Sequence, residues 1–404
     1  MLTIRPLKSK SELDEYMELC VYCFSMQASY TSIYASFIAP YLKHTVGAFV
    51  DGHLMACMWY IPYEMNVGGA YIPMGGVAAV ATYPEARNLG LARKLMSRAH
   101  QQMKAEGRPL AALMPFKPEF YARMGYGDVF YYQSCKLRPE GLQRPLPKGY
   151  SIVRVDPDKE WKTFDRLHKE YSVRYFGAVK RPQSYWKIRY FNSVIGIRYH
   201  YLIMKGKEPA GFVITHVDKP APAYSSDLQR PTHLSIIQAA WTNTDALNAF
   251  LNFIYVHRDQ FRTVNWYAPP DIPLRGLDPQ MELTLKPKMM LKLVDLKSAI
   301  EARPFASDLE SELILNVKGD DTSPWNDGAW RMQWKKGKAK VTKSGSASRL
   351  PRLKTDIQTL SVLYSGHQSA SELAGIGLLS GPRQGIELLD RAFPKQPCHM
   401  DEWF

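Results

Sequence analysis

The segment MGGVAAVATYPEARNLGLARKLM occupies residues 74–96 and decides the fold of the surrounding chain. Its first half consists of small apolar residues, which is typical of a β-strand, and Pro84 ends that strand. From Gly90 onward, apolar residues recur at helical spacing. The segment therefore predicts a strand, a turn and a helix, in that order.

The turn in this segment predicts an anion site. Gly90 allows the backbone to come close to a ligand, and the first N–H groups of the following helix carry the positive end of its dipole. The segment contains neither Gly-x-x-x-x-Gly-Lys-Ser/Thr nor Gly-x-Gly-x-x-Gly, which disfavours a nucleoside triphosphate and a dinucleotide. Two linked phosphates would fit. The alternative is an ordinary strand, turn and helix with Arg87 on the surface.

Residues 80–92 resemble the acetyl-CoA site of the GNAT superfamily of N-acetyltransferases, in which an Arg/Gln-x-x-Gly-x-Gly/Ala turn holds the pyrophosphate. The resemblance implies backbone hydrogen bonds to the pantetheine arm, contacts around the pyrophosphate, and two residues near the acetyl end. Asn88 stands where the family often has Arg. The residues implied for these three roles are, in order, Val80, Ala81 and Thr82; Arg87, Asn88, Leu89, Gly90, Leu91, Ala92 and Arg93; and Phe116 and Lys117.

A second short apolar strand, Leu110–Met114, is followed by Tyr121. In GNAT enzymes, a Tyr at this place protonates the departing thiolate, so the resemblance implies that Tyr121 is a catalytic acid. Its chemistry is suitable, because a phenol with a pKa near 10 is a proton donor at neutral pH. The alternative is that Tyr121 only packs with Phe120 and Tyr126 in an aromatic cluster.

Composition and charge indicate how many domains the chain has and which partners suit it. The chain has 404 residues and a net charge of +14, so two or three domains are expected. Lys and Arg are spread along the chain, and the run at residues 335–340 alternates in the manner of a solvated strand face. Without a nucleic-acid-binding motif, we expect no nucleic acid partner. The positive charge favours an anionic co-substrate such as acetyl-CoA.

Targeting and redox signals are weak. No apolar run is long enough for a bilayer and the first residues lack a signal-peptide pattern, so we expect a cytoplasmic protein with no membrane partner. The five scattered cysteines predict reduced thiols. Cys20-x-x-Cys23 lies in a helical pattern without further ligands nearby, which favours core packing, and we expect no metal.

The order of predicted elements divides the chain into three domains, at residues 1–145, 150–287 and 288–404, with a Pro- and Gly-rich linker at 139–149 between the first two. The second domain repeats the element order of the first. However, it has Trp241-Thr-Asn-Thr-Asp245 at the turn, and an acidic first helical turn would repel a pyrophosphate. This pattern predicts a degenerate copy that binds no acetyl-CoA.

The third domain is predicted to be an antiparallel sheet with helices on one face. It contains Trp325-Asn-Asp-Gly-Ala-Trp330-Arg and later Asp356-Ile-Gln-Thr-Leu-Ser-x-Leu-Tyr364. Over the whole chain, the sequence resembles the Eis (enhanced intracellular survival) type acetyltransferases. The resemblance implies a mixed α/β (α+β) fold class: tandem GNAT domains followed by a sterol-carrier-protein-like domain. It also implies acetylation of aminoglycosides or related polyamines by direct attack in a ternary complex, and a homo-oligomer, a hexamer.

The C-terminal tail is the expected source of a base, because residues 76–82 of the predicted strand contain no acid, base or His. The resemblance implies that the terminal carboxylate of Phe404 is this base, and Asp401 and Glu402 are expected to attract a cationic substrate. The pKa values of this carboxyl group and of an ammonium group differ by roughly 6 units, so direct proton transfer from the ammonium to the carboxylate would cost about 8 kcal/mol. We therefore expect the neutral amine to react and the carboxylate to take the proton afterwards. The alternative is a frayed tail, and the tail departs from the family's usual Cys-x-Asp/Glu-x-Phe ending.

Two other functions remain open from the sequence. The same catalytic domain could acetylate protein lysines, or the third domain could make the chain a lipid-binding module.

Overall fold

The computed structural model describes residues 1–192, 197–217, 233–345 and 350–404. Within these ranges the chain forms two compact units. The first unit contains residues 1–130, 175–179 and 287–404, and the second contains the described residues of 131–174 and 180–286.

The strands are numbered along the chain. They are β1 Leu2–Pro6, β2 Thr45–Val50, β3 His53–Val67, β4 Ala70–Thr82, β5 Leu110–Leu113, β6 Gly127–Leu137, β7 Tyr150–Arg154, β8 Ile197–Lys205, β9 Glu208–Val217, β10 His233–Trp241, β11 Thr263–Ala268, β12 Glu282–Leu293, β13 Ser311–Lys318, β14 Gly328–Lys335, β15 Lys338–Lys343 and β16 Arg352–Asp356.

The helices are numbered in the same way. They are α1 Lys10–Phe24, α2 Ala28–Ile38, α3 Leu91–Ala105, α4 Pro118–Ala122, α5 Pro157–Ser172, α6 Gln183–Tyr185, α7 Thr244–Tyr255, α8 Leu296–Ala302, α9 Ile357–Ser365, α10 Ala370–Gly375 and α11 Arg383–Ala392. Among the helices in the described ranges, none is both long and apolar enough to span a bilayer.

In the first unit, the larger sheet has the strand order β1-β2-β3-β4-β5-β12. The β2–β3 hairpin turns at Asp51 and Gly52, both with positive φ, as the Asp-Gly pair predicts. β4 pairs parallel with β5, whereas the other neighbouring strands pair antiparallel. The apolar face of α3, including Leu95 and Met96, packs into a core cluster with Val77 and Leu113.

The first unit also contains a four-stranded sheet with the order β15-β14-β13-β16. The three strands of the predicted antiparallel sheet, β13, β14 and β15, do pair antiparallel. The prediction missed β16, which runs parallel to β13 and makes the sheet mixed. Along β14, Trp330, Met332 and Trp334 are buried and alternate with exposed residues, as the two-residue period of a strand requires. Lys338 and Lys340 on β15 are exposed, as expected for the basic run.

In the second unit, the strand order is β6-β11-β10-β9-β8-β7. β10 and β11 pair parallel, and the other neighbours pair antiparallel. A strand, a turn and a helix follow one another at β10 and α7, in the same order as at β4 and α3. The second unit thus repeats the element order of the chain's first part.

A buried ion pair lies inside the first unit. Lys292 on β12 and Asp320 after β13 are both fully buried, and Lys292 Nζ lies 2.6 Å from Asp320 Oδ1. Asp320 also accepts hydrogen bonds from the Ser323 backbone N–H at 3.0 Å and from Asn326 Nδ2 at 2.8 Å. Burial lowers the pKa of Lys292, and the Asp320 carboxylate opposes that shift. The pair is stable only because several donors surround the carboxylate.

We expect Asp320→Ala to lower the free energy of unfolding by about 3 to 5 kcal/mol, because it leaves the buried Lys292 ammonium unpaired. Urea denaturation measures the change. The matched control is the neighbouring Asp321→Ala, which removes an exposed carboxylate and should cost no more than about 0.5 kcal/mol. Equal effects of the two substitutions would contradict the stabilising role of the buried pair.

Candidate active site

The end of β4 has one open edge. β4 pairs with β5 only from Met74 to Val77, whereas its pairing with β3 continues to Thr82. A bulge interrupts the β3 pairing after Ala78, and Ala79 has a φ of 49°. Beyond Val77, the described strands therefore leave one edge of β4 without a strand partner. Backbone groups on such an edge can bind an extended ligand as an additional strand would.

The turn after β4 leaves helix amides free. Gly90 is the N-cap of α3, with a φ of 70° and no side-chain cap. The first N–H of this helix that donates to a carbonyl in the described structure is that of Lys94, to Gly90 O at 3.2 Å. A Cβ on Gly90 would have no heavy atom within 4 Å, so the turn faces open space. The arrangement can hold an anion at the helix N-terminus.

The side chains predicted to surround the anion differ in their exposure to solvent and in the contacts that they already make. Arg87 is exposed, and its Nε donates to Thr82 O at 3.4 Å. Arg93 Nη1 lies 3.2 Å from Asp321 Oδ2 in a half-exposed pair. Asn88 and Leu89 are exposed, whereas Leu91 is buried in the core. Leu91 can therefore contact an anion only through its backbone.

The corresponding turn of the second unit is closed. Asn243 is the N-cap of α7, and its side chain accepts a hydrogen bond from the Ala246 N–H at 2.9 Å. The Tyr150 hydroxyl donates to the same Asn243 Oδ1 at 3.0 Å. Asp245 adds a negative charge in the first turn. The helix amide that an anion would need is thus already bonded to a side chain.

Tyr121 lies on α4 and is 3% exposed. Its ring packs edge-to-face against Phe120, Phe116 and Tyr126, with centroids 5.1, 5.7 and 6.1 Å away. Burial raises the pKa of Tyr121, so its hydroxyl stays protonated well above neutral pH. The aromatic cluster that the sequence offered as an alternative therefore exists, and it also keeps Tyr121 in the state of a proton donor.

The other two predicted residues of this region flank Tyr121 on the chain. Phe116 is 74% exposed, which leaves most of its ring available to a ligand. Lys117 is exposed and occupies the N-cap position of α4. Within the described ranges, no three His, Cys, Asp or Glu side chains come together as a metal-ion site.

The C-terminal tail is docked rather than frayed. The backbone N–H of Phe176 donates to Pro397 O, and the N–H of His399 donates to Phe176 O, both at 3.0 Å. The buried Lys288 ammonium donates to Met400 O, and it lies 4.6 Å from the ring centroid of Trp403. These contacts fix the path of the last eight residues within the first unit.

The tail ends against β4. The ring of Phe404 lies 5.5 Å from that of Tyr63, centroid to centroid. A Cβ on Gly76 would come within 2.9 Å of the Tyr63 ring and 3.0 Å of the Phe404 ring, so only a glycine at this position leaves room for both rings. Asp401 Oδ1 lies 2.6 Å from His399 Nε2, and Glu402 is fully buried.

The two predicted catalytic residues approach β4 from opposite faces. Phe404 lies on the face of Gly76, whereas Tyr121 belongs to the core cluster of the next residue, Val77. Successive residues of a strand point to opposite faces, so β4 lies between the two side chains. Gly76 and Val77 are the last two residues of β4 that pair with β5.

Sequence reasoning missed the residues that hold the tail. Tyr63, Phe176 and Lys288 carry no motif, and each is more than 100 positions away from its tail partner. One signal was present, because a glycine inside a strand often marks close approach by another group. Gly76 has that role here.

Three protein-family models match the chain. A model described as an acetyltransferase (GNAT) domain matches residues 3–129, and a second model with the same description matches residues 177–293. A sterol carrier protein domain matches residues 296–401.

Similar proteins include an uncharacterised N-acetyltransferase of Streptomyces coelicolor, 23% identical over 354 residues, which are 83% of this chain and 82% of that protein. Among solved structures, a GCN5-related N-acetyltransferase from Anabaena variabilis has a TM-score of 0.87 at 23% identity, with all of both chains covered. Eis1 from Mycobacterium abscessus has a TM-score of 0.79 at 20% identity, also over all of both chains. These structures share the fold of this chain.

The Gly90 turn allows a test with a matched control. Gly90 and Gly107 flank α3 with φ values of 70° and 69°, and a Cβ on either would meet nothing within 4 Å. Leucine at either position should cost a similar 1 to 2 kcal/mol, roughly, in backbone strain. Only Gly90→Leu places a side chain in front of the free amides. By calorimetry, we expect coenzyme A to bind at least about tenfold more weakly to Gly90→Leu, and normally to Gly107→Leu.

Unchanged, normal affinity in both variants would contradict an anion site at the Gly90 turn. Equal losses would indicate that strain, and not the blocked turn, is responsible.

Proposed function

Since the chain is a GNAT-type N-acetyltransferase with two GNAT domains and a C-terminal sterol carrier protein domain, we propose that it acetylates an amine of an aminoglycoside or a polyamine. The tandem arrangement and the mixed α+β fold class were both predicted from the sequence, and the family matches confirm them. The predicted domain limits and site residues remain predictions.

The acetyl donor of GNAT domains is acetyl-CoA, which supplies an activated acyl group. The first unit has a fitting site, because the free edge of β4 and the open Gly90 turn follow each other along the chain. In our proposal, the backbone of residues 80–82 pairs with the pantetheine arm. Residues 87–93 surround the pyrophosphate, and Phe116 and Lys117 lie near the acetyl end.

The observation that carries the proposed chemistry is the position of Phe404. Its ring packs on Gly76 of β4, next to the point where β4 leaves β5, while Tyr121 belongs to the core cluster that contains the next residue, Val77. In our proposal, a proton acceptor and a proton donor flank the opening between β4 and β5, which suits a reaction in which one proton is lost and another is gained.

The proposed step is a direct attack in a ternary complex. The neutral amine nitrogen forms a bond to the acetyl carbon, and the bond from that carbon to sulfur breaks. The carboxylate of Phe404 takes the proton that the nitrogen loses, and the Tyr121 hydroxyl gives its proton to the departing sulfur. Exchange with water then returns both groups to their starting states, so that protons balance.

Acidic residues of the tail would favour a cationic acceptor. The net charge of +14 opposes the approach of a polycation, so the pocket needs local negative charge. Asp401 is partly exposed beside His399, and we propose that it contacts the substrate. Glu402 is fully buried, so in our proposal it attracts the cationic substrate electrostatically, without direct contact. A hexameric assembly and a cytoplasmic location are further proposals from the resemblance to Eis-type enzymes.

The acceptor class is tested by measuring thiol release from acetyl-CoA with a panel of amines. We expect spermidine or kanamycin to support a rate at least about tenfold above that of a lysine-containing peptide, because a compact polycation gains most from acidic residues near the reaction. Binding to phosphatidylcholine vesicles is measured in parallel. Turnover of the peptide alone would favour lysine acetylation, and tight vesicle binding with no turnover would favour a lipid-binding module.

The role of the Phe404 carboxylate is tested by two variants that separate it from the ring. Adding one glycine after Phe404 keeps the ring and moves the carboxylate, and we expect kcat to fall by about 100-fold or more. Phe404→Leu keeps the carboxylate in place, so its kcat should fall by less than that of the extended variant. In both variants, calorimetry should give an unchanged affinity for coenzyme A.

The pH profile gives an independent check on Tyr121. Because burial raises the pKa of this phenol, its proton remains in place beyond the ordinary value near 10. The rate should therefore rise with pH as the amine loses its proton, without a decline up to about pH 10. A decline centred near pH 8 or 9 would assign the acid role to another group.

A further inference from the structure

A loop of the third domain packs behind the turn that carries Tyr121. Residues 319–327, called the 319–327 loop below, connect β13 to β14, and the turn at residues 123–126 follows α4 directly. Within that turn, the N–H groups of Met124 and Tyr126 both donate to Tyr121 O, at 2.9 and 3.2 Å. A shift of the turn therefore shifts Tyr121.

The loop bonds to the turn through a hydroxyl group. Thr322 is fully buried, and its Oγ1 donates to Met124 O at 3.2 Å. The same hydroxyl lies 3.4 Å from Asp320 Oδ1, which belongs to the buried ion pair with Lys292. One hydrogen bond thus ties the turn to the loop that contains Asp320, the carboxylate of the buried ion pair.

The turn has no free space on that side. Gly125 has a φ of 84°, and a Cβ there would come within 2.7 Å of Lys292 Nζ and 2.6 Å of Ile357. The backbone of the turn therefore lies directly against the ion pair and α9. Such close packing transmits a displacement of the loop to the turn.

A second hydrogen-bonded path joins the loop to the turn through α3. His100 Nε2 lies 2.9 Å from the Tyr126 hydroxyl, and His100 Nδ1 lies 3.3 Å from Ser323 Oγ. All three residues are buried. Burial lowers the pKa of His100, so its ring is neutral and offers one donor and one acceptor. One ring nitrogen can thus serve Tyr126 and the other Ser323.

We propose that Thr322 and Ser323 of the 319–327 loop are positioning residues for the acid Tyr121, so that the third domain sets the geometry of proton transfer in the first. The inference rests on the proposed role of Tyr121. It predicts that loss of either hydroxyl lowers the rate of the chemical step and leaves acetyl-CoA binding unchanged.

The principal test compares Thr322→Val with Thr322→Ser, each alone and combined with Tyr121→Phe. Valine has the shape of threonine without its hydroxyl, whereas serine keeps the hydroxyl. Rates are measured with acetyl-CoA and the amine of the panel above that is turned over fastest. We expect Thr322→Val to lower kcat by about 5- to 20-fold, Thr322→Ser to stay within about twofold, and the KM for acetyl-CoA to change in neither.

The double variant separates positioning from general damage. If Thr322 acts through Tyr121, Thr322→Val should cost no further activity once Tyr121→Phe has removed the acid. Multiplying effects would overturn the inference, because they would show that Thr322 acts elsewhere. Normal activity of Thr322→Val would also overturn it, and the proposed function would stand if Tyr121→Phe still lowers the rate.

An unaffected rate in Tyr121→Phe would instead refute the acid role itself, and the positioning inference with it. Thermal unfolding checks that each variant is folded. Should Thr322→Val fail to fold, Ser323→Ala is used in the same comparison, with a reduced kcat expected alone and no added loss beside Tyr121→Phe.

Discussion

The separation of β4 from β5 after Val77 is the feature on which the candidate site depends. A paired strand would offer no backbone groups to a ligand and would leave no opening between the two faces of the sheet. Small residues along the same stretch allow a bulge in the pairing with β3 at Ala79 and the close approach of Phe404 at Gly76. The chemistry of the site is thus arranged around one length of strand.

The two GNAT domains show how little is needed to remove such a site. Each has a strand, a turn and a helix in the same order. In each, the pairing with the parallel neighbour stops before the strand does, at Val77 in β4 and at Ile236 in β10. In the first domain the helix begins at Gly90, which has no side chain to cap it. In the second it begins at Asn243, whose side chain takes the helix amide. Fold is retained in both copies, while the helix N-terminus is capped by a side chain in only one of them.

Local features of the site could be predicted from the sequence, and long-range ones could not. The turn at Gly90 and the helix after it depend on neighbouring residues, so spacing and turn chemistry suffice to predict them. The five-residue β16 was missed, because its charged residues give no strand signal and its partner β13 lies more than 30 positions away. The position of the Phe404 ring depends on its contact with Tyr63 and on the hydrogen bonds that Phe176 and Lys288 make with the tail. No local sequence pattern reveals these contacts.

The interior of the third domain bears on what that domain does. The ring of Phe393 packs against those of Trp334 and Tyr364, with centroids 6.4 and 6.2 Å away. Arg303 is buried against the rings of Tyr364 and Phe393 and donates to Tyr364 O, which places a charged group beside them. An apolar lipid chain at this place would have to displace packed aromatic rings and leave the guanidinium without its partners, at a high cost in free energy. A scaffold that holds the tail and the 319–327 loop against the first domain requires no such cavity, and this domain contributes both.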